Sequence, residues 1–131
     1  LGSTTYLQAL TTRPEQAQTL YRDALEALVK LQGIPAATQV PAYDRALLLR
    51  ELQLFPDWYI GRHQGLVLTE KEQAVLERSF EHLLANALAQ PAVLVHRDYH
   101  CRNLMVCGEP GAATNPGVLD FQDAVWGPIT Y

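Results

Sequence analysis

The sequence predicts an α-rich α+β fold. Apolar residues recur at helical spacing through most of the chain ahead of Pro91, and short strand-like runs separated by turn formers fill the part that follows. Composition agrees: 131 residues at 48% apolar and 18% charged suit one folded domain, or part of one, with a real core.

Taken in order, Leu1 to Leu10 is uncapped and loosely patterned, with Thr4, Thr5 and Tyr6 in its middle. Thr12-Arg13-Pro14-Glu15 reads as a capping box with Pro in the first turn. Ala17, Leu20, Tyr21, Ala24, Leu28 and Leu31 then make one apolar stripe, closed by Gly33 and Pro35. Pro35 to Pro41 is a linker. Tyr43 to about Phe55 reads as a second helix whose leucines, Leu47, Leu48, Leu49, Leu52 and Leu54, cover more than one face, so it is expected to be largely buried. Pro56-Asp57-Trp58-Tyr59 should turn the chain, and Gly61 to Leu68 should be a loop. Thr69-Glu70-Lys71-Glu72 repeats the Thr-x-x-Glu box and opens a third helix. Its stripe is Ala74, Leu76, Phe80, Leu83, Leu84, Ala87 and Leu88, and Pro91 ends it. His63 and His82 are expected at the surface.

Charge and cysteine content narrow the function. Lys+Arg 10 against Asp+Glu 14 gives −4 with no basic cluster, which argues against nucleic acid as a partner, since phosphate backbones need clustered positive charge. No apolar stretch is long enough to span a bilayer. Cys101 and Cys107 flank a strand-like run and could bridge only by buckling it, so free thiols in a cytoplasmic protein are expected.

The chemistry concentrates between Val93 and Asp123. Val93-Leu94-Val95 delivers His96-Arg97-Asp98; Asn103 precedes Leu104-Met105-Val106; Val118-Leu119 ends in Asp120-Phe121-Gln122-Asp123. A hairpin closing through the Gly/Pro-rich stretch from Gly108 to Pro116 would set Asn103 and Asp120 opposite each other, within reach of one ion, with Asp98 on the loop leading in. Mg²⁺ favours a few oxygen ligands plus substrate phosphates, which one carboxylate and one amide oxygen satisfy. Asp98 would then be free to accept a proton from an acceptor hydroxyl, in a transfer where positioning and charge neutralisation supply most of the rate. His-Arg-Asp, four residues, Asn and a later Asp-Phe is also the pattern of the protein-kinase catalytic loop.

His96-Arg97-Asp98-Tyr99-His100, Asn103-Leu104-Met105 and Leu119-Asp120-Phe121-Gln122-Asp123-Ala124 resemble the aminoglycoside phosphotransferase and choline kinase superfamily. Within it the nearest likeness is to bacterial kinases of the anomeric hydroxyl of N-acetylmuramate and N-acetylglucosamine. Val125-Trp126-Gly127-Pro128, Arg50-Glu51-Leu52 and Phe55-Pro56-Asp57-Trp58 add to that likeness. The resemblance implies the C-terminal lobe of a protein-kinase-like fold, helices plus a short catalytic β-hairpin, using ATP and Mg²⁺. It implies Asp98 as catalytic base, Asn103 and Asp120 as metal ligands, and His96 as a structural member of the loop. Arg97 is expected to pair with a nearby carboxylate. Arg50, Glu51, Trp58, His100 and Asp123 are candidate substrate contacts, although an Arg50/Glu51 ion pair and a core Trp58 are weighed against that. Gln122 stands where a protein kinase has Gly, and no Ala-Pro-Glu follows, so a sugar or amino-alcohol is expected as substrate in place of a protein.

Neither a Gly-rich loop nor a strand lysine is present; the lysines are Lys30 and Lys71, both on expected helices. Residues 1–131 are therefore expected to be a partial lobe, poorly active alone, with no phosphate-binding residues for the nucleotide and with the nucleotide lobe and further helices outside it. Peptidoglycan recycling is the process the resemblance implies. Three other readings stand beside this one. A sibling kinase would act on aminoglycosides or small alcohols, and a non-catalytic scaffold would keep the fold alone. A metal-dependent hydrolase would hold zinc through His96, Asp98, His100 and Cys101.

Overall fold

The computed structural model describes residues 2–35 and 40–131. Leu1 and most of the expected Pro35 to Pro41 linker lie outside them. The opening segment is more ordered than its patterning suggests. Strand β1 (Thr4–Thr5) leads directly into helix α1 (Tyr6–Thr12). The helix starts on a capping box that the sequence reading passed over: the Thr5 side chain accepts from the Gln8 N–H at 3.2 Å, and the Gln8 side chain accepts from the Thr5 N–H at 2.9 Å. The box expected at Thr12 does not form. Thr12 is the last residue of α1, and its hydroxyl donates back to the carbonyls of Gln8 and Ala9. Pro14–Gln16 is a 3₁₀ turn, and helix α2 spans Ala17–Gln32. Gly33 follows it as expected, donating to the Val29 carbonyl at 3.0 Å. Leu20 and Ala24 are buried, whereas Tyr21, expected in the stripe, is half exposed.

Helix α3 (Arg45–Leu54) is capped by Asp44, whose carboxylate accepts from the Leu47 N–H at 2.9 Å. Pro56 does not turn the chain. The helix runs on as a wider π-helical stretch, Phe55–His63, with Pro56 near its start. It ends at Gly65, whose φ of +66° is a left-handed conformation open to glycine. Nor is this segment the buried element expected: Leu47 and Leu48 are half-buried, but Leu54, Phe55, Trp58 and Tyr59 are all exposed. Helix α4 (Glu70–Leu88) keeps the expected Thr69/Glu72 box and stops short of Pro91. Phe80 and Leu84 are buried, while Leu83 and Leu88 fall outside the buried stripe. His63 and His82 are exposed, as expected.

Two small antiparallel sheets complete the fold. Strand β2 (Ala92–Val95) pairs with β5 (Val125–Pro128), Val95 opposite Val125. Strand β3 (Leu104–Val106) is central in the other sheet, between β1 and β4 (Gly117–Val118). Each sheet carries its own cluster. Tyr6, Ala9, Leu20, Ala24 and Leu104 lock α1 and α2 onto β3. Tyr43, Val93, Val95 and Val125 sit beneath Leu47 and Leu48 of α3. Tyr43 is fastened to β5 by its N–H, which donates to the Trp126 carbonyl at 2.8 Å. Both cysteines are free. Among the described residues no helix is long and apolar enough to cross a membrane.

Gly127 marks the tightest approach in the second cluster. A Cβ there would lie 2.7 Å from the Tyr43 Cβ. Gly127→Ala should therefore destabilise the fold by about 1–3 kcal/mol through overpacking, read as a lowered denaturant midpoint at unchanged slope. An unchanged midpoint would show that Tyr43 can retreat at no cost.

Candidate active site

Four strand ends meet at one edge of the molecule. β2 stops at Val95 and releases His96-Arg97-Asp98; β3 begins just after Asn103; β4 stops just before Leu119-Asp120; β5 starts opposite the end of β2. The hairpin forms as the sequence suggested, with Leu104 opposite Val118. One step further out the Leu119 N–H donates to the Asn103 carbonyl at 2.9 Å, so Asn103 and Asp120 emerge side by side.

His96 joins the two halves. It is 3% exposed, its Nε2 lies 2.8 Å from the Leu119 carbonyl, and its Nδ1 lies 3.3 Å from the Asp98 backbone nitrogen. A carbonyl only accepts and an amide N–H only donates, so the ring is the neutral tautomer with its proton on Nε2. One buried side chain thus fixes the residue before Asp120 against the backbone of Asp98. Arg97 and Asp120 occupy left-handed backbone conformations, with φ of 73° and 63°. Such geometry costs about 1–3 kcal/mol for a side-chain-bearing residue and persists only where its surroundings hold it.

Asn103 bridges the two carboxylate-bearing segments. Its Nδ2 donates to the Asp98 carbonyl at 3.0 Å and lies 3.5 Å from Asp120 Oδ2. With the amide nitrogen committed this way, Oδ1 has no hydrogen-bond donor among the described residues and is left as an acceptor. That oxygen and the exposed Asp120 carboxylate form a hard-oxygen donor pair, the kind an Mg²⁺ ion takes alongside phosphate oxygens. Asp98 is exposed beside them. The turn between Asp98 and Asn103 is closed by the His100 and Asn103 N–H groups, which donate to the carbonyls of Asp98 and His100. Tyr99 anchors this turn to α2, its hydroxyl donating to the Ala24 carbonyl at 2.6 Å.

The remaining candidates separate. Glu51 does not pair with Arg50. Its Oε1 takes the Arg97 guanidinium and its Oε2 the Tyr43 hydroxyl, while Arg50 stays exposed. Arg97 does therefore pair with a carboxylate. Trp58 is not core: it is 56% exposed with the Arg62 guanidinium 4.1 Å above its ring, because nothing described packs over the π-helical turn. His100 is exposed, and its Nδ1 lies 3.3 Å from the Arg102 backbone nitrogen; Asp123 is exposed in the turn before β5. Among the described residues no three His, Cys, Asp or Glu side chains converge, so the zinc cluster of His96, Asp98, His100 and Cys101 has no geometric support.

Sequence reasoning missed two supports. Buried Asp23 of α2 accepts the Gly111 N–H at 2.8 Å, and buried Asn115 accepts from Cys107 and donates to Glu109, so both shape the hairpin's long turn. An Asp on the buried side of the α2 stripe was the available signal for the first.

The chain matches the family described as "Phosphotransferase enzyme family" over residues 2–131. It is 50% identical to an N-acetylmuramate/N-acetylglucosamine kinase of Pseudomonas putida and 52% identical to one of Pseudomonas aeruginosa, in each case across 100% of this chain and 37% of the relative. A third, of Neisseria meningitidis, is 42% identical across 100% of this chain and 38% of its own length. The chain thus spans little more than a third of the curated relatives it matches. Its α-rich α+β architecture is that of a kinase-like fragment.

Burial pushes the Tyr99 phenol up to about 12 from its ordinary 10.0, and Tyr6 and Tyr43 are raised by burial as well. The folded state therefore favours the neutral phenol. The sign follows: stability from Tyr99 is intact below pH 10 and is lost as pH rises from 10 to 12. Denaturation midpoints should fall across that window, less steeply in Tyr99→Phe, which at neutral pH should cost about 1 kcal/mol for the lost hydrogen bond. Equal slopes for both proteins would show that Tyr99 does not stay neutral in the fold.

Proposed function

The chain belongs to the phosphotransferase enzyme family, and we propose that the full-length protein transfers the γ-phosphoryl group of ATP to the anomeric hydroxyl of N-acetylmuramate or N-acetylglucosamine, in the cytoplasm and in the service of cell-wall recycling. The observation that carries the reading is the Asn103 amide, held between Asp98 and Asp120 with its oxygen left free. The acceptor is supported by the likeness to N-acetylmuramate/N-acetylglucosamine kinases that share about half of this chain's residues.

In this reading Asn103 Oδ1 and an Asp120 oxygen hold Mg²⁺, which supplies charge neutralisation at the phosphates when bound. Asp98 accepts a hydrogen bond from the acceptor hydroxyl and takes its proton as the oxygen attacks the γ-phosphorus and ADP leaves. Its exposure lets the acceptor approach, and its tethered backbone holds the carboxylate in register with the metal pair. His96 keeps that register from below. The grip on the nucleotide phosphates belongs outside this chain, since Lys30 and Lys71 lie on α2 and α4 and not on a strand beside the site.

Incubating the full-length protein with ATP, Mg²⁺ and N-acetylmuramate should give ADP and a sugar 1-phosphate, seen by phosphorus NMR. Asp98→Asn should lower kcat by at least ~100-fold, the low end of general-base contributions. Asp120→Asn should weaken the Mg²⁺ dependence, and chelation should abolish turnover. Full activity in Asp98→Asn would overturn the base assignment; phosphorylation of an aminoglycoside in place of the amino sugar would overturn the acceptor.

A further inference from the structure

Between the buried end of β2 and the exposed Asp98, the backbone must reverse within one residue. Arg97 does this at φ 73°, and the reversal lets the Asp98 N–H face His96 Nδ1. Arginine gains nothing intrinsic from a left-handed backbone, so its surroundings must hold it there, and its side chain is one such anchor. The guanidinium reaches across to α3 and meets Glu51, a pair in which the two side chains are only 26% and 28% exposed. It also lies 5.6 Å from the centre of the Tyr43 ring. Both Glu51 oxygens are engaged: Oε1 serves Arg97 and Oε2 takes the Tyr43 hydroxyl, itself rooted in the β2–β5 cluster. The Arg97 Nε is buried with no hydrogen-bond partner among the described residues; Glu51 is the carboxylate that meets this charge, and the Tyr131 hydroxyl lies against the same guanidinium.

We propose that Glu51 is a positioning residue for phosphoryl transfer: through Arg97 it holds the left-handed turn that sets the height and direction of Asp98. The inference rests on the reading of Asp98 as the base. It gives α3 a part in the chemistry, although α3 contributes no atom to the reacting centre. Both Glu51 carboxylate oxygens turn toward Arg97 and Tyr43. Charge matters here, since a half-buried, charge-assisted contact holds a guanidinium more firmly than a neutral amide does.

The test uses the full-length protein with Glu51→Gln and Glu51→Ala, together with Arg97→Ala and the double variant. Glu51→Ala should lower kcat about 10- to 100-fold, the scale of a misplacement near 1 Å, with the KM values for sugar and ATP within about threefold of the parent. Glu51→Gln should recover part of that loss. Loss in the double variant should match the worse single variant and fall short of the product of the two. Amide hydrogen exchange at His96 to Asn103 should quicken in Glu51→Ala while β2 and β5 stay protected, a readout that needs no turnover. A raised sugar KM at unchanged kcat would overturn the proposal by making Glu51 an acceptor contact. Unchanged exchange with unchanged kcat would overturn it by making the pair ornamental. If the parent fails to phosphorylate either amino sugar, the functional reading falls, and the exchange result still decides whether Glu51 holds the loop.

Discussion

The structure depends most on one neutral imidazole. His96 is buried between two backbone groups of opposite polarity, the Asp98 N–H and the Leu119 carbonyl. Neither sheet alone could relate these groups, because Asp98 follows β2 and Leu119 follows β4. Their hydrogen bonds to one rigid ring place the exposed Asp98 and Asp120 carboxylates at a fixed separation. Protonating that ring would remove the acceptor that Asp98 needs.

Around that ring the molecule works as two half-cores with a polar seam. The α1, α2 and β3 cluster carries the Asn103 side, with Tyr99 tied back to α2. The Tyr43, Val93, Val95 and Val125 cluster carries the Arg97 side, with α3 laid across it. Each cluster is small, and polar contacts cross from one to the other at the seam. Two left-handed residues, Arg97 and Asp120, sit at that seam, the first next to the candidate base Asp98 and the second itself a candidate metal ligand. Backbone strain here is the geometric cost of turning two carboxylates outward from buried strands.

The sequence readings that succeeded and those that failed divide on locality. The Thr69 box, the α4 helix, the Gly33 stop and the β3–β4 hairpin all depend on residues a few positions apart, and all appear in the structure. The Thr5 box was equally local and could have been read from Thr5-Tyr6-Leu7-Gln8. The error at Pro56 came from treating Pro as an absolute stop, when the helix widens around it to a π form and continues. The expectation of a buried Trp58 failed for another reason. Side-chain apolarity predicts a preference for burial, not the presence of a neighbour, and no described element covers that face.

By itself the sequence determined the chemistry on offer: an Asp and an Asn five residues apart in one loop, a second Asp after a strand, and a hairpin short enough to bring the last two together. Those relations are set by strand pairing and loop length, which are written along the chain. Only the tertiary structure decided how the groups are held. Glu51 meets Arg97 across 46 residues, Tyr99 meets Ala24 across 75, and Asp23 meets Gly111 across 88. Such partners are chosen by how helices pack on sheets, a many-body outcome that no local pattern encodes. That is why the motif Asp98, Asn103 and Asp120 could be read directly, while the contact of Glu51 with Arg97 could not.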